Sequence, residues 1–193
     1  MFNRFLGILL MGIVIKTMDD FFDKEIDKES KQWNIHILLG RSILPYSLLI
    51  AIISLYLNFA EAAAIFATSY TIGMLHTYRG ILPTKLYGWQ EGIIILIIFT
   101  YILSLREILV TLVIVGIIQL IDDIIDYKKE KFINYNNIIN KIGVFNTILI
   151  ILILLFVSIS FSLIKFIYFS TAALLVYFIF LIIQKFYRTV YND

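Results

Sequence analysis

Ten of the fourteen acidic residues of this chain fall in two short runs. The first reads Asp19-Asp20-Phe21-Phe22-Asp23-Lys24-Glu25-Ile26-Asp27, followed by Lys28-Glu29, and the second Asp122-Asp123-Ile124-Ile125-Asp126-Tyr127-Lys128-Lys129-Glu130. Both run acid, acid, two apolar residues, acid, three residues, acid, at an offset of 103 residues. That is one wide repeat rather than a solenoid period. On a continuing helix Asp20, Asp23 and Asp27 share a face, as do Asp123, Asp126 and Glu130, because positions i, i+3 and i+7 line up. Like charges so placed repel, and beside apolar stretches they are poorly solvated. Such an arrangement calls for cations. The chain has no Cys, and its two His, at 36 and 76, lie far apart. Hard oxygen donors alone suit Mg²⁺ rather than zinc. Mg²⁺ keeps waters and takes one or two carboxylates together with substrate phosphate. The candidate ligands are therefore Asp19, Asp20, Asp23, Asp27, Asp122, Asp123, Asp126 and Glu130, and the candidate substrate is a diphosphate with an apolar tail. The plainer alternative is two solvated loops neutralised by Lys24, Lys28, Lys128 and Lys129. Two copies with one spacing speak against it.

The elements that must position these acids are apolar. Of 193 residues, 61% are hydrophobic and 16% charged, with nine Gly and two Pro, and mean hydropathy is +0.92. A soluble domain is roughly 45–50% apolar and about a quarter charged. The composition excludes a soluble globule, a disordered chain and a collagen-like one. It predicts a single all-α transmembrane domain over 1–193, embedded in a lipid bilayer. Hydropathy predicts about seven spans, at 2–18, 41–59, 61–78, 88–104, 107–125, 142–164 and 166–185. Continuous apolar runs of this length are too long for barrel strands. The first of them slightly resembles a signal peptide, but Lys16 and Asp19-Asp20 follow where a cleavage site should be, so it reads as a retained helix. A net charge of +2 gives no bulk field for nucleic acid.

Three connections, 19–40, 79–87 and 126–141, are long and polar; the others are tight turns. Thirteen of the sixteen Lys and Arg fall on the long-loop side, leaving Arg4, Arg106 and Lys165 opposite. This bias predicts a multi-pass protein of the cytoplasmic membrane with both acidic runs facing the cytoplasm. Trp33, Trp89, Tyr46 and Tyr87 fall near span ends on that side and read as interfacial anchors. Lys16, one turn before Asp19 and Asp20, reads as an ion-pair partner of either. Gln119, one turn before Asp123, either points at the site or packs the bundle through an interhelical hydrogen bond. Arg106, Glu107 and Lys165 read as turn residues on the far side. No Gly-rich phosphate loop or Ser/His/Asp pattern is present.

The paired acidic runs resemble those of the UbiA superfamily of membrane prenyltransferases. The family's first motif, Asn/Asp-Asp-x-x-Asp-x-x-x-Asp, is matched by Asp19, Asp20, Asp23 and Asp27. Its second, Asp-x-x-Asp-x-x-x-Asp, is matched by Asp123 and Asp126 with Glu130 in the last place. The stretch from Tyr78-Arg79-Gly80 through Pro83 and Lys85 to Glu91 is similar to the family's Tyr, basic Pro-containing loop and Gly-Glu pair. The segment 137–143, ending in Gly143, is similar to the one that follows the family's second motif. The resemblance runs from about 12 to 145. It implies a UbiA-like helical bundle and a Mg²⁺-dependent transfer of a prenyl group from a polyprenyl diphosphate to an acceptor, an aromatic quinone precursor or similar. It implies catalytic roles for Asp20, Asp23, Asp123 and Asp126, and substrate binding by Lys85, Arg79, Tyr78 and Glu91. Family members usually have about nine spans. A partner subunit or a second copy would supply the helices by which this chain falls short. The alternatives are a shortened relative that binds metal or isoprenoid lipid without catalysis, or a divalent-cation carrier. A CDP-alcohol phosphotransferase, which needs Gly and Arg elements among its acids, does not fit Phe21-Phe22 and Lys24-Glu25-Ile26 in the gaps.

Overall fold

Apolar runs of this length satisfy their own backbone polar groups only as helices, and helices are what they form. The computed structural model describes residues 1–30, 33–76, 82–130 and 138–191, with the backbone alone at 26, 30, 75, 76, 128–130, 188, 190 and 191. The helices are α1 (Phe2–Phe22), α2 (Lys24–Ser30), α3 (His36–Leu39), α4 (Ile43–Leu57), α5 (Phe59–His76), α6 (Gly88–Leu103), α7 (Leu105–Glu130), α8 (Ile139–Ile142) and α9 (Val144–Tyr191), with a 3₁₀ turn at Gly40–Ser42 ahead of α4. No strand occurs among the described residues. Among the described residues three segments are long and apolar enough to cross a membrane: His36–Leu57, Leu105–Tyr127 and Val144–Tyr187. At 1.5 Å per residue, the last is about twice the length a bilayer core requires. It breaks at Ser162, whose φ of −165° and ψ of 93° are not helical.

The tight turns are capped. Asn58, at φ −156° and ψ 93°, accepts the Glu61 N–H on Oδ1 at 3.0 Å and starts α5. Ser162 has nearly the same dihedrals and accepts the Lys165 N–H on Oγ at 3.3 Å, starting the second arm of α9. Between α6 and α7 stands Ser104, at φ 128°, whose Oγ accepts the Glu107 N–H at 3.4 Å.

Side-chain contacts set the directions. Ser54 Oγ donates to Gly7 O at 2.7 Å while the Ile35 N–H reaches Asp20, so α4 runs against α1. Thr71 Oγ1 donates to Gly92 O at 3.2 Å, and a Cβ on Gly92 would come within 3.1 Å of Thr71 Cγ2. Small residues at such crossings let backbones approach without a hydrophobic driving force between helices. α1, α5, α7 and the second arm of α9 run in one direction. Arg4, Glu61, Glu107 and Lys165 meet near their starts, and the core between them is built from Ile8, Met11, Val14, Ala62, Ile65, Val110, Ile114, Phe169 and Ala172. Large apolar side chains such as Ile97, Phe156, Leu174 and Phe178 face outward, each more than half exposed. An apolar solvent around the bundle accounts for that. Of the residues read as interfacial anchors, Tyr46, Tyr87 and Trp89 are exposed and Trp33 is half-buried.

Candidate functional site

The co-directional helices carry charge at both ends. At the starting end Arg4 Nε donates to Glu61 Oε1 at 2.8 Å. Lys165 Nζ lies 3.0 Å from Glu61 Oε2 and also pairs with Glu107. Glu61 and Lys165 are buried. The pairs Arg4 with Glu61 and Glu107 with Lys165 span 57 and 58 residues, and Glu107 follows Arg4 by the same 103 residues that separate the acidic runs. The repeat therefore extends beyond the acids: an N-terminal charge, a cap at 58 or 162, and a charge opposite, with the signs exchanged between the halves. Sequence reading missed this network and took Glu107 and Lys165 for turn residues. The signal was there, in two acids and two bases at the mouths of apolar runs, where lone charges are costly.

At the other end, α1 and α7 bring the starts of the two acidic runs together. Lys16 Nζ lies 3.1 Å from Asp19 Oδ2, 3.4 Å from Asp20 Oδ1 and 3.6 Å from Asp122 Oδ2. The Tyr177 ring centroid is 6.0 Å from the same ammonium, and Tyr177 lies near Asp122. Lys16, Asp19, Gln119, Asp122 and Tyr177 form the polar end of a cavity of about 110 Å³. Its remaining wall is mostly apolar, with Ile15, Ile65, Val115, Ile118, Phe169 and Val176 among the lining residues, and Ser69 joins them. Gly12 lies in that wall, where a Cβ would meet Val176 Cγ2 at 3.2 Å. Tyr177 carried no signal beyond being a polar tip within an apolar run.

The first acidic run does not continue as one helix. α1 stops at Phe22 with Asp23 as its cap, the Asp23 N–H donating to Asp19 O at 2.9 Å. α2 follows at once, the Asp27 N–H donating to Asp23 O at 2.8 Å. The segment after it folds back over the run. Buried Asn34 donates from Nδ2 to Asp27 Oδ2 at 2.6 Å and to Asp20 O, and the Ile35 N–H donates to Asp20 Oδ2 at 3.3 Å. Asp20, past the end of the apolar stretch, is itself buried. Burial pushes its carboxyl up to about 6; the Lys16 ammonium and the Ile35 N–H pull the other way, and Asp19 adds to the rise.

The expected ligands thus divide. Asp19 and Asp122 line the cavity. Asp20 stands behind them against Lys16 and Ile35, and Asp27 is held by Asn34. Asp23 is at the break, and Asp123 and Asp126 are half-buried on α7. Glu130 ends α7, its side chain outside the described residues, as are Tyr78 and Arg79 altogether. Lys85 is exposed in the turn before α6, at φ 63°, and Glu91 lies near Tyr70 across α5 and α6; neither lines the cavity. Among the described residues no three His, Cys, Asp or Glu stand close enough to hold a metal ion. The donor set at the cavity therefore does not make an all-protein cage. It fits the other mode of Mg²⁺ binding, in which one or two carboxylates hold the ion and substrate phosphate and water complete it. No family model, curated protein or solved structure matches the chain.

Proposed function

We propose that the chain is a Mg²⁺-dependent membrane prenyltransferase of the UbiA type, moving a prenyl group from a polyprenyl diphosphate to an acceptor. The observation that carries this reading is the Lys16 bridge to Asp122 at 3.6 Å, which gathers two acidic runs 103 residues apart at the head of an otherwise apolar cavity. A charged head with an apolar tail matches that division of polarity. Asp19 and Asp122 would hold Mg²⁺, which when bound neutralises charge on the departing diphosphate. Lys16 and Gln119 stand beside them as donors for phosphate oxygens. The allylic C–O bond breaks with its electron pair leaving on diphosphate. The apolar wall around Ile118 and Phe169 keeps water from the cation until the acceptor attacks and loses a proton. Seven membrane crossings with the acidic end toward the cytoplasm belong to this reading, supported by the charge bias of the loops.

The test uses purified protein, labelled polyprenyl diphosphates of graded chain length and a membrane extract as the acceptor source. Transfer is expected only with Mg²⁺, and Asp20→Ala or Asp123→Ala should abolish it while the protein still inserts. Turnover that survives EDTA and both substitutions would sink the reading. The lack of a three-acid group among the described residues favours one competitor, a relative that binds isoprenoid lipid without catalysis. It would retain the labelled donor and release no product. A divalent-cation carrier would instead move Mg²⁺ into liposomes with no donor present.

A further inference from the structure

The internal repeat supplies a comparison within the molecule. At an offset of 103, the place of Lys16 in the first half is taken by Gln119 in the second. Both side chains line the cavity. One half brings an ammonium to this end of the bundle and the other a neutral amide.

That ammonium is shared. Its distances of 3.1, 3.4 and 3.6 Å join it to carboxylates of both α1 and α7. Without it, acids from two helices would face one another at a membrane boundary, where unpaired charge is costly. A divalent ion on Asp19 or Asp122 would stand within a few ångströms of Nζ, and two cations at that range repel. Lys16 and a divalent ion therefore compete for the same oxygens. The ammonium sits on a flexible four-carbon stem and faces a cavity. A phosphate oxygen there offers it a new partner.

Resting on the divalent-cation and diphosphate reading of this site, we propose that Lys16 is a displaceable internal cation. It holds the two acidic runs together until a divalent ion takes their carboxylates, and its ammonium then turns to the diphosphate. Each ligand thereby favours the other. A divalent ion alone must evict Lys16 from Asp19 and Asp122 and leave it Asp20 as its carboxylate, whereas diphosphate offers it a new anionic partner. Such coupling is reciprocal by thermodynamic necessity.

The experiment is equilibrium binding of Mn²⁺ to the full chain in detergent, with and without inorganic pyrophosphate, free Mn²⁺ being measured directly by its spin-resonance signal. The parent should bind Mn²⁺ weakly alone and gain strongly from pyrophosphate. Lys16→Gln makes the first half like the second. It should bind Mn²⁺ alone about tenfold tighter than the parent and lose most of the gain. An unchanged affinity and an unchanged gain in Lys16→Gln overturn the proposal while leaving the metal reading intact. If neither parent nor variant binds Mn²⁺ under any condition, the metal reading fails and this proposal with it. Should Lys16→Gln not yield folded protein, Lys16→Arg carries the test. Its fork pairs more firmly with carboxylates, so it should bind Mn²⁺ alone no tighter than the parent, and tighter binding counts against the proposal.

Discussion

Lys16 and Asp20 are four residues apart on α1 and face opposite demands. Lys16 has three carboxylates for one ammonium. Asp20 is buried beside the Lys16 ammonium and the Ile35 N–H, and burial pushes its carboxyl up from 3.8 to about 6. The folded chain thus holds this proton more tightly than the unfolded one. Its contribution to stability is complete below 3.8 and is lost as pH rises through about 6. The loss is on the order of 3 kcal/mol. Thermal midpoints in detergent should fall across that window, and Asp20→Asn, which cannot titrate, should flatten the fall. Equal slopes in parent and variant would show that Asp20 is not its source. Helical spacing made Asp20, Asp23 and Asp27 one face, but the chain breaks at Asp23, and Asp19 reaches the cavity instead. Periodicity assumes an unbroken helix. It has no information on the donors that Asn34 and Ile35 bring back from outside that helix.

Among the elements, the tight turns were the most legible part. Tight turns at 58 and near 165 were visible as polar breaks between apolar runs, and Asn58 and Ser162 close them with almost the same backbone geometry. The ion pairs beside those caps were not legible, because pairing residues 57 or 58 positions apart depends on which helices become neighbours. Glu61 serves Arg4 and Lys165 together. Removing it leaves Lys165, 3% exposed, with Glu107 alone. Breaking one side of a buried pair costs about 3–5 kcal/mol. Glu61→Ala should therefore lower the unfolding midpoint in detergent far more than Tyr101→Ala on the exposed face of α6. Similar losses from the two would mean that the network contributes little.

At the scale of the molecule, the repeat organises the bundle. α1, α5, α7 and the second arm of α9 run the same way, so charges at their starts collect at one end and the acidic runs at the other. If the chain crosses the membrane seven times, Lys28 and Leu105 lie on opposite faces. The chain has no native Cys to interfere, so Lys28→Cys and Leu105→Cys can each be tested with an impermeant thiol reagent. Lys28→Cys should react from the cytoplasmic side alone and Leu105→Cys from the other. Labelling of both from one side would refute the crossing pattern.

The sequence by itself determined the solvent, the helical class, the turns and the two acidic runs. Those properties follow from composition and from near neighbours along the chain, where hydrophobic burial and backbone hydrogen bonding act locally. Only the tertiary structure decided which acids meet. It placed Asp19 and Asp122 on one cavity wall, set Lys16 between the halves, and paired Arg4 with Glu61 and Glu107 with Lys165 at the far end. Contacts between residues so far apart in the chain depend on which helices pack together and in which direction. Side-chain packing across helices settles that, and no pattern within a single helix encodes it.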